Sequence, residues 1–196
     1  MPLLIPPGPF LAYLFDCDGT IADSMPLHFV AWNRALARHS CPFPEDLFYA
    51  WGGRPVPEII EELNRTHSLS MNVEEVSHEK ESIYLELLPQ VTAIPEVLEE
   101  IQRMHGKIPF AVVSGSPRDS VVRTLTALGI LSLFDTLVCA GEYPNGKPAP
   151  DPFLIAAQNL GVAPESCLVF EDADLGIQSA IAAGMQWVKI PAPTLL

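Results

Sequence analysis

The chain has 196 residues, 48% of them hydrophobic and 18% charged; that is enough apolar material for one good core with a small appendage, and it excludes a disordered chain. A net charge of −13 argues against nucleic acid and anionic membrane as partners, and it repels phosphorylated small molecules unless local cations or a bound metal receive them. No run approaches the roughly 18 apolar residues of a membrane span, and the N-terminal "MPLLIPPGPF" reads as a loose arm and not a signal peptide.

"FLAYLFDCD" is a short apolar run closed by a turn signal, which predicts a buried strand ending in Asp16 and Asp18. "SMPLHFVAWNRALARHS" predicts a helix with Ser24 as N-cap, Pro26 in its first turn and Phe29, Val30, Trp32, Leu36 and Ala37 at helical spacing. "PEDLFYAW" predicts a short helix that "GGRP" breaks, and "VPEIIEELNRT" and "VEEVSHEKESIYLELL" predict two more. Residues 24–91 therefore read as an all-helical unit inserted after the first strand. From Pro95 helices and strands alternate. "PEVLEEIQRMHG", "PRDSVVRTLTALG", "DPFLIAAQNLG" and "DLGIQSAIAAG" predict helices; "IPFAVVSGS", "DTLVCAG", "SCLVFEDA" and "WVKI" predict strands. The fold class is α/β: a Rossmann-like, mostly parallel sheet with helices on both faces, built from residues 1–23 and 92–196. Segments near "ADS" and "PQVTAIP" are expected hinges between the two units. Ser116 is the expected cap of the helix after Pro117, and Asp174 that of the last helix.

In such sheets ligands bind beyond the carboxyl ends of the strands. Four segments end there with reactive groups: Asp16 and Asp18; Ser114, Gly115 and Ser116; Lys147 in "GKPAPD"; Glu171, Asp172 and Asp174. Clustered carboxylates repel and drive one another toward protonation, unless a divalent cation sits between them. With only oxygen donors available, Mg²⁺ is the expected cofactor. Two carboxylates with distinct tasks, a cation, a lysine and a hydroxyl suit phosphoryl transfer. Asp16 is the expected nucleophile, forming an aspartyl phosphate. Asp18 is the expected acid–base, its pKa raised by a dry pocket. Gly19 allows a tight turn whose N–H groups face phosphate oxygens. Ser114, Lys147, Cys17 and Gly115 complete the expected phosphate end.

"DCDGTIADS", "VVSGS", "GKPAPD" and "EDADLGIQSA" resemble the four successive motifs of the haloacid dehalogenase superfamily, in order and over most of the chain. The helical insertion resembles the cap of its phosphatase and phosphoglucomutase branch. "VFEDADLGIQSA" and the glycine-rich cap segment are similar to the YqaB-like fructose-1-phosphate phosphatases, and "HFVAW", His28 to Trp32, is shared with the beta-phosphoglucomutases. The resemblance implies a phosphatase for a small phosphorylated metabolite, with Asp16 as nucleophile and Asp18 as acid–base. It implies that Ser114 and Lys147 hold the phosphoryl oxygens. Magnesium would be bound by Asp16, the backbone carbonyl of Asp18 and Asp172, with Glu171 helping through water. His28, Arg54 and Lys80 become candidate substrate contacts in the cap. In the mutase pattern an arginine follows a few residues after the cap glycine, whereas Arg54 follows Gly53 directly.

Other readings fit less well. An EF-hand loop carries its glycine at position six, where Gly19 falls at position four. "GEYPNGKP" matches a P-loop until Pro148 stands in place of the magnesium-binding hydroxyl. A mutase, a non-enzymatic descendant and a dehalogenase are the alternatives on the same frame. Cys17, Cys41, Cys139 and Cys167 show no metal or disulfide spacing and are expected to be buried thiols. A reducing cytoplasm and a monomer are the matching expectations.

Overall fold

The computed structural model describes residues 3–191; residues 1–2 and 192–196, the outer ends of the expected core unit, lie outside the described residues. Five strands form one sheet: β1 Ala12–Phe15, β2 Phe110–Val113, β3 Thr136–Val138, β4 Cys167–Glu171 and β5 Gln186–Lys189. Their order is β3-β2-β1-β4-β5, and every pairing is parallel. The strand order turns back at β1, so the crevice where such sheets take ligands opens beyond Phe15.

The strands carry unbroken apolar runs because helices cover both faces. Alternate residues serve opposite faces. Tyr13, Phe15, Phe110, Val112 and Phe170 join one cluster, and Ala12, Leu14, Ala111, Val113 and Val169 join another. The first face is aromatic, with Phe15 stacked on Phe170 at 4.5 Å between ring centroids. α5 (Pro95–Met104) and α6 (Arg118–Ala127) cover it through Val97, Ile101, Val121 and Leu125. The second face is small-residue rich, and α7 (Asp151–Leu160) and α8 (Asp174–Ala182) cover it through Phe153, Ala156, Ala157 and Ala180. The N-terminal arm is not loose over its described part, since Leu3, Ile5 and Phe10 pack on the aromatic side.

Four helices lie between β1 and α5: α1 Met25–Ala37, α2 Glu45–Ala50, α3 Val56–His67 and α4 Val73–Leu87. Asn72 caps α4 by accepting from the Glu75 N–H at 3.0 Å. α3 ends where Ser68 adopts a left-handed φ of 53°. These helices enclose their own apolar cluster, which includes Trp32, Phe43, Phe48, Ile60 and Leu63. The segments that enter and leave them run side by side. Asp23 N donates to Thr92 O and Ile94 N donates to Ile21 O, both at 2.9 Å, around an antiparallel bridge between Ala22 and Ala93.

Among the described residues no helix is long and apolar enough to cross a membrane. All four cysteines are buried free thiols, as their spacing predicts.

Candidate active site

β1 ends at Phe15, so Asp16 leaves the sheet at its centre, directly above the strand that its backbone extends by donating to Phe170 O at 3.0 Å. Ser114 follows β2 in the same way, and Glu171 ends β4 with Asp172 next. Lys147 arrives from the long connection between β3 and α7. Its Nζ donates to Asp16 Oδ1 at 2.6 Å, to Glu171 Oε1 at 2.6 Å and to Val113 O at 3.1 Å. Those three bonds use all the donors an ammonium has. Burial would lower the pKa of Lys147, but the Asp16 and Glu171 carboxylates raise it by more.

Asp16, Glu171 and Asp172 bring carboxylate oxygens within 4.8 Å of one another. Burial pushes the Asp16 carboxyl well above the usual range; Lys147 opposes that, while Glu171 and Asp172 add to it. Burial and the neighbouring Glu171 likewise raise Asp172 to about 7. Three carboxylates against one ammonium leave uncompensated negative charge in a dry cluster made only of oxygen donors. That is the setting a hard divalent cation relieves, so the residues present fit Mg²⁺. Two glycines keep the cradle open. A Cβ on Gly19, at a φ of +89°, would overlap Asp172 Oδ2, and a Cβ on Gly176 would overlap Glu171 Oε1. Thr20 Oγ1 donates to Asp172 Oδ1 at 3.1 Å, and the Ala173 N–H donates to Glu171 Oε2 at 2.8 Å.

Asp18 is held differently. Ser24 Oγ donates to its Oδ1 and Ser116 Oγ to its Oδ2, both at 2.7 Å, and His28 Nε2 lies 3.0 Å from Oδ1. Burial would raise its pKa, but His28 and the two serine hydroxyls outweigh burial and hold the carboxyl below the usual range. The expected raised pKa of Asp18 is therefore corrected. So are three expected helix caps. Ser24 stands at the N-cap of α1, where its carbonyl accepts from the His28 N–H but its side chain makes no cap bond, and Pro117, not Ser116, precedes α6. Both hydroxyls are committed to Asp18 instead. Asp174 does not cap α8 either: it is the helix's first residue and pairs with Lys189 at 2.6 Å, away from the cluster.

A pocket joins these groups to the helical insertion. Its wall includes Asp16, Asp18, Ser114, Gly115, Ser116, Glu171 and Asp172 from the sheet side. From the helices it includes His28, Arg54 and Lys80, beside the apolar Met25, Trp32, Phe48, Trp51, Val56 and Ile59. The two sides meet closely. A Cβ on Gly115 would sit 3.1 Å from Gly53 O, so a glycine there lets the loops approach. His28 stacks on Tyr84 at 3.8 Å, and its buried Nδ1 has no partner among the described residues. The Arg54 guanidinium lies 5.1 Å from the centre of the Trp51 ring. Two expected contacts are not in this wall. The Cys17 side chain belongs to the aromatic-side core, because alternation along β1 carries it inward between the two aspartates. Lys147 lies within bonding reach of Asp16 and Glu171, but it forms no part of the wall.

Sequence reasoning missed Thr20, the roles of Ser24 and Ser116, and the apolar lining from α1 to α3. Thr20 alone had a local signal, since it follows Gly19 directly in the turn.

A parallel sheet with a carboxylate and lysine cluster at its carboxyl rim, roofed by helices inserted after the first strand, defines a class of hydrolases. A family model described as haloacid dehalogenase-like hydrolase matches residues 13–190, and the chain belongs to that family. It is 36% identical to the fructose-1-phosphate phosphatase YqaB of Escherichia coli, over 92% of this chain and 96% of that protein. It is 32% identical to the phosphorylated carbohydrates phosphatase of Thermotoga maritima, over 89% of this chain and 82% of that one. The crystal structure of beta-phosphoglucomutase from Clostridium difficile superposes with a TM-score of 0.83 at 26% identity, covering 91% of this chain and 83% of that one.

Proposed function

We propose that the protein is a magnesium-dependent phosphatase for a small phosphorylated metabolite, a sugar monophosphate such as fructose 1-phosphate. The observation that carries this reading is the meeting of Asp16, Asp18, Ser114, Glu171 and Asp172 in one pocket wall, with Lys147 bonded to Asp16. The phosphatase named for fructose 1-phosphate in Escherichia coli supports the substrate class.

Asp16 is the nucleophile. Its carboxylate oxygen bonds to phosphorus as the bond to the sugar oxygen breaks, giving an aspartyl phosphate. Asp18 gives a proton to the departing oxygen. The free site holds Asp18 ionised, and the negative charge of an entering phosphate is what raises its pKa enough to carry that proton. Asp18 then takes a proton from water as the water attacks phosphorus and releases Asp16. Ser114 holds a phosphoryl oxygen. Lys147 orients Asp16, and it contacts the phosphoryl group only by exchanging one of its three bonds. Mg²⁺ would be held by Asp16, Asp172 and the Asp18 carbonyl, with Glu171 acting through water, and it supplies charge neutralisation at the phosphoryl oxygens. His28 and Arg54, both in the pocket wall, face the sugar from above.

Residues 24–91 act as a cap over a core of 1–23 and 92–196. The paired segments around Ala22 and Ala93 are the hinge, and closure excludes bulk water. The likeness to a beta-phosphoglucomutase favours a second reading, in which the phosphoryl group returns to a bisphosphorylated sugar.

The test is phosphate release across a panel of sugar phosphates, with and without Mg²⁺, and with Asp16→Asn as control. Release that needs both metal and Asp16 supports the phosphatase. Isomerisation of a hexose phosphate without release establishes the mutase instead.

A further inference from the structure

Glu81 lies on α4 next to Lys80, outside the pocket wall, and has no part in the chemistry above. Its two oxygens have separate partners. Lys80 Nζ donates to Oε1 at 2.7 Å, and Ser120 Oγ, on the core helix α6, donates to Oε2 at 2.6 Å. Adjacent residues on a helix do not face each other. The Lys80–Glu81 contact is therefore set by surroundings and not by helix geometry. Those surroundings are dry: the Lys80 side chain is 3% exposed and that of Glu81 16%. The Lys80 ammonium lies 5.8 Å from the Trp32 ring centre and 5.7 Å from that of Tyr84, so the aromatic rings leave it one carboxylate partner among the described residues. One helical turn on, Tyr84 and Thr124 share a 2.7 Å hydrogen bond across the same two helices.

We infer that Glu81 is a positioning residue: anchored to the core by Ser120, it aims the Lys80 ammonium into the pocket toward the substrate's leaving group. Ser120 stands four residues after Ser116 on the segment that also supplies Ser114, so the direction of Lys80 is referenced to the phosphate end of the site. Glu81 takes one of the three ammonium donors and leaves the others for substrate. The pair is neutral in sum. It therefore recognises hydroxyl oxygens of a sugar and adds no net charge to attract a second phosphate. This inference rests on the phosphatase reading and assigns Lys80 to the sugar hydroxyls of its substrate.

The experiment measures phosphate release from fructose 1-phosphate and from p-nitrophenyl phosphate, whose leaving group has no sugar hydroxyls. The variants are E81Q, S120A, K80M and K80M/E81Q. The expected result is a fall in kcat/KM of about tenfold or more for E81Q on the sugar phosphate, and of less than about threefold on the aryl phosphate. S120A shows the same substrate bias with a smaller loss. In the K80M background E81Q adds less than about threefold, because its effect passes through the lysine. Equal losses on both substrates, or losses that simply add, make Glu81 a structural residue and overturn the inference. A wild-type protein that releases phosphate neither from p-nitrophenyl phosphate nor from any member of the sugar phosphate panel refutes the phosphatase reading, and thermal unfolding then decides the pairing separately. E81Q leaves a buried ammonium unpaired and lowers Tm; K80M/E81Q recovers at least half of that loss, and failure to recover overturns the inference.

Discussion

Lys147 is enclosed by Asp16, Glu171 and the Val113 carbonyl, with its side chain 1% exposed. Lys147→Met removes the cation from a cluster of three carboxylates, of which its two partners Asp16 and Glu171 are buried, so the cost is that of breaking a buried pair, about 3–5 kcal/mol. Urea unfolding of the metal-free variant reads this, and saturating Mg²⁺ should return part of it. Gly176 shows the same economy of space. Gly176→Ala would drive a methyl into Glu171 Oε1, and the displaced carboxylate should lower stability by about 2 kcal/mol or more and weaken Mg²⁺ binding together. At Asp18, each hydroxyl that bonds the ionised form lowers its pKa. Ser24→Ala should move the alkaline limb of the kcat profile, where Asp18 must still carry its proton, up by about 0.5–1 unit. A profile that stays put, with only a loss of helix stability, would return Ser24 to the capping role its position suggests.

At the scale of elements, the strands and helices follow from local pattern. "AYLF", "FAVV" and "CLVFE" are fully buried because helices cover both faces, and turn residues bound them. The helices of the insertion were equally legible through their apolar spacing. Cap assignment was not, because Ser24 and Ser116 each had a choice between a helix N–H and a carboxylate, and the carboxylate is the stronger acceptor. The contact between α4 and α6 was also invisible in sequence. Tyr84→Phe removes the buried bond to Thr124 and leaves that hydroxyl without its partner, so it should cost about 1–2 kcal/mol in denaturant unfolding.

For the molecule as a whole, the charge cluster predicts a coupling of metal, pH and stability. The folded pKa of Asp172, about 7, lies above the roughly 3.9 of an unfolded aspartate. Between those values the folded chain holds more protons, so metal-free stability falls as pH rises from about 4 to about 7. A bound cation takes the place of the proton. Mg²⁺ should therefore raise Tm by a few degrees at pH 8 and by less than about 1 °C at pH 5.5, as read by calorimetry. Equal shifts at both values would remove Asp172 from the proposed metal site.

Composition, periodicity and turn residues by themselves determined an α/β chain with a helical insertion, and they placed Asp16, Ser114 and Asp172 at strand ends, since each of those features is written within a few neighbouring residues. Only the tertiary structure decided which oxygen meets which donor. Ser116 reaches Asp18 across 98 positions of chain and Lys147 reaches Asp16 across 131, while Cys17, between two site residues, turns into the core. Partners so distant in sequence leave no local pattern, because it is the packing of helices on the sheet that brings them together.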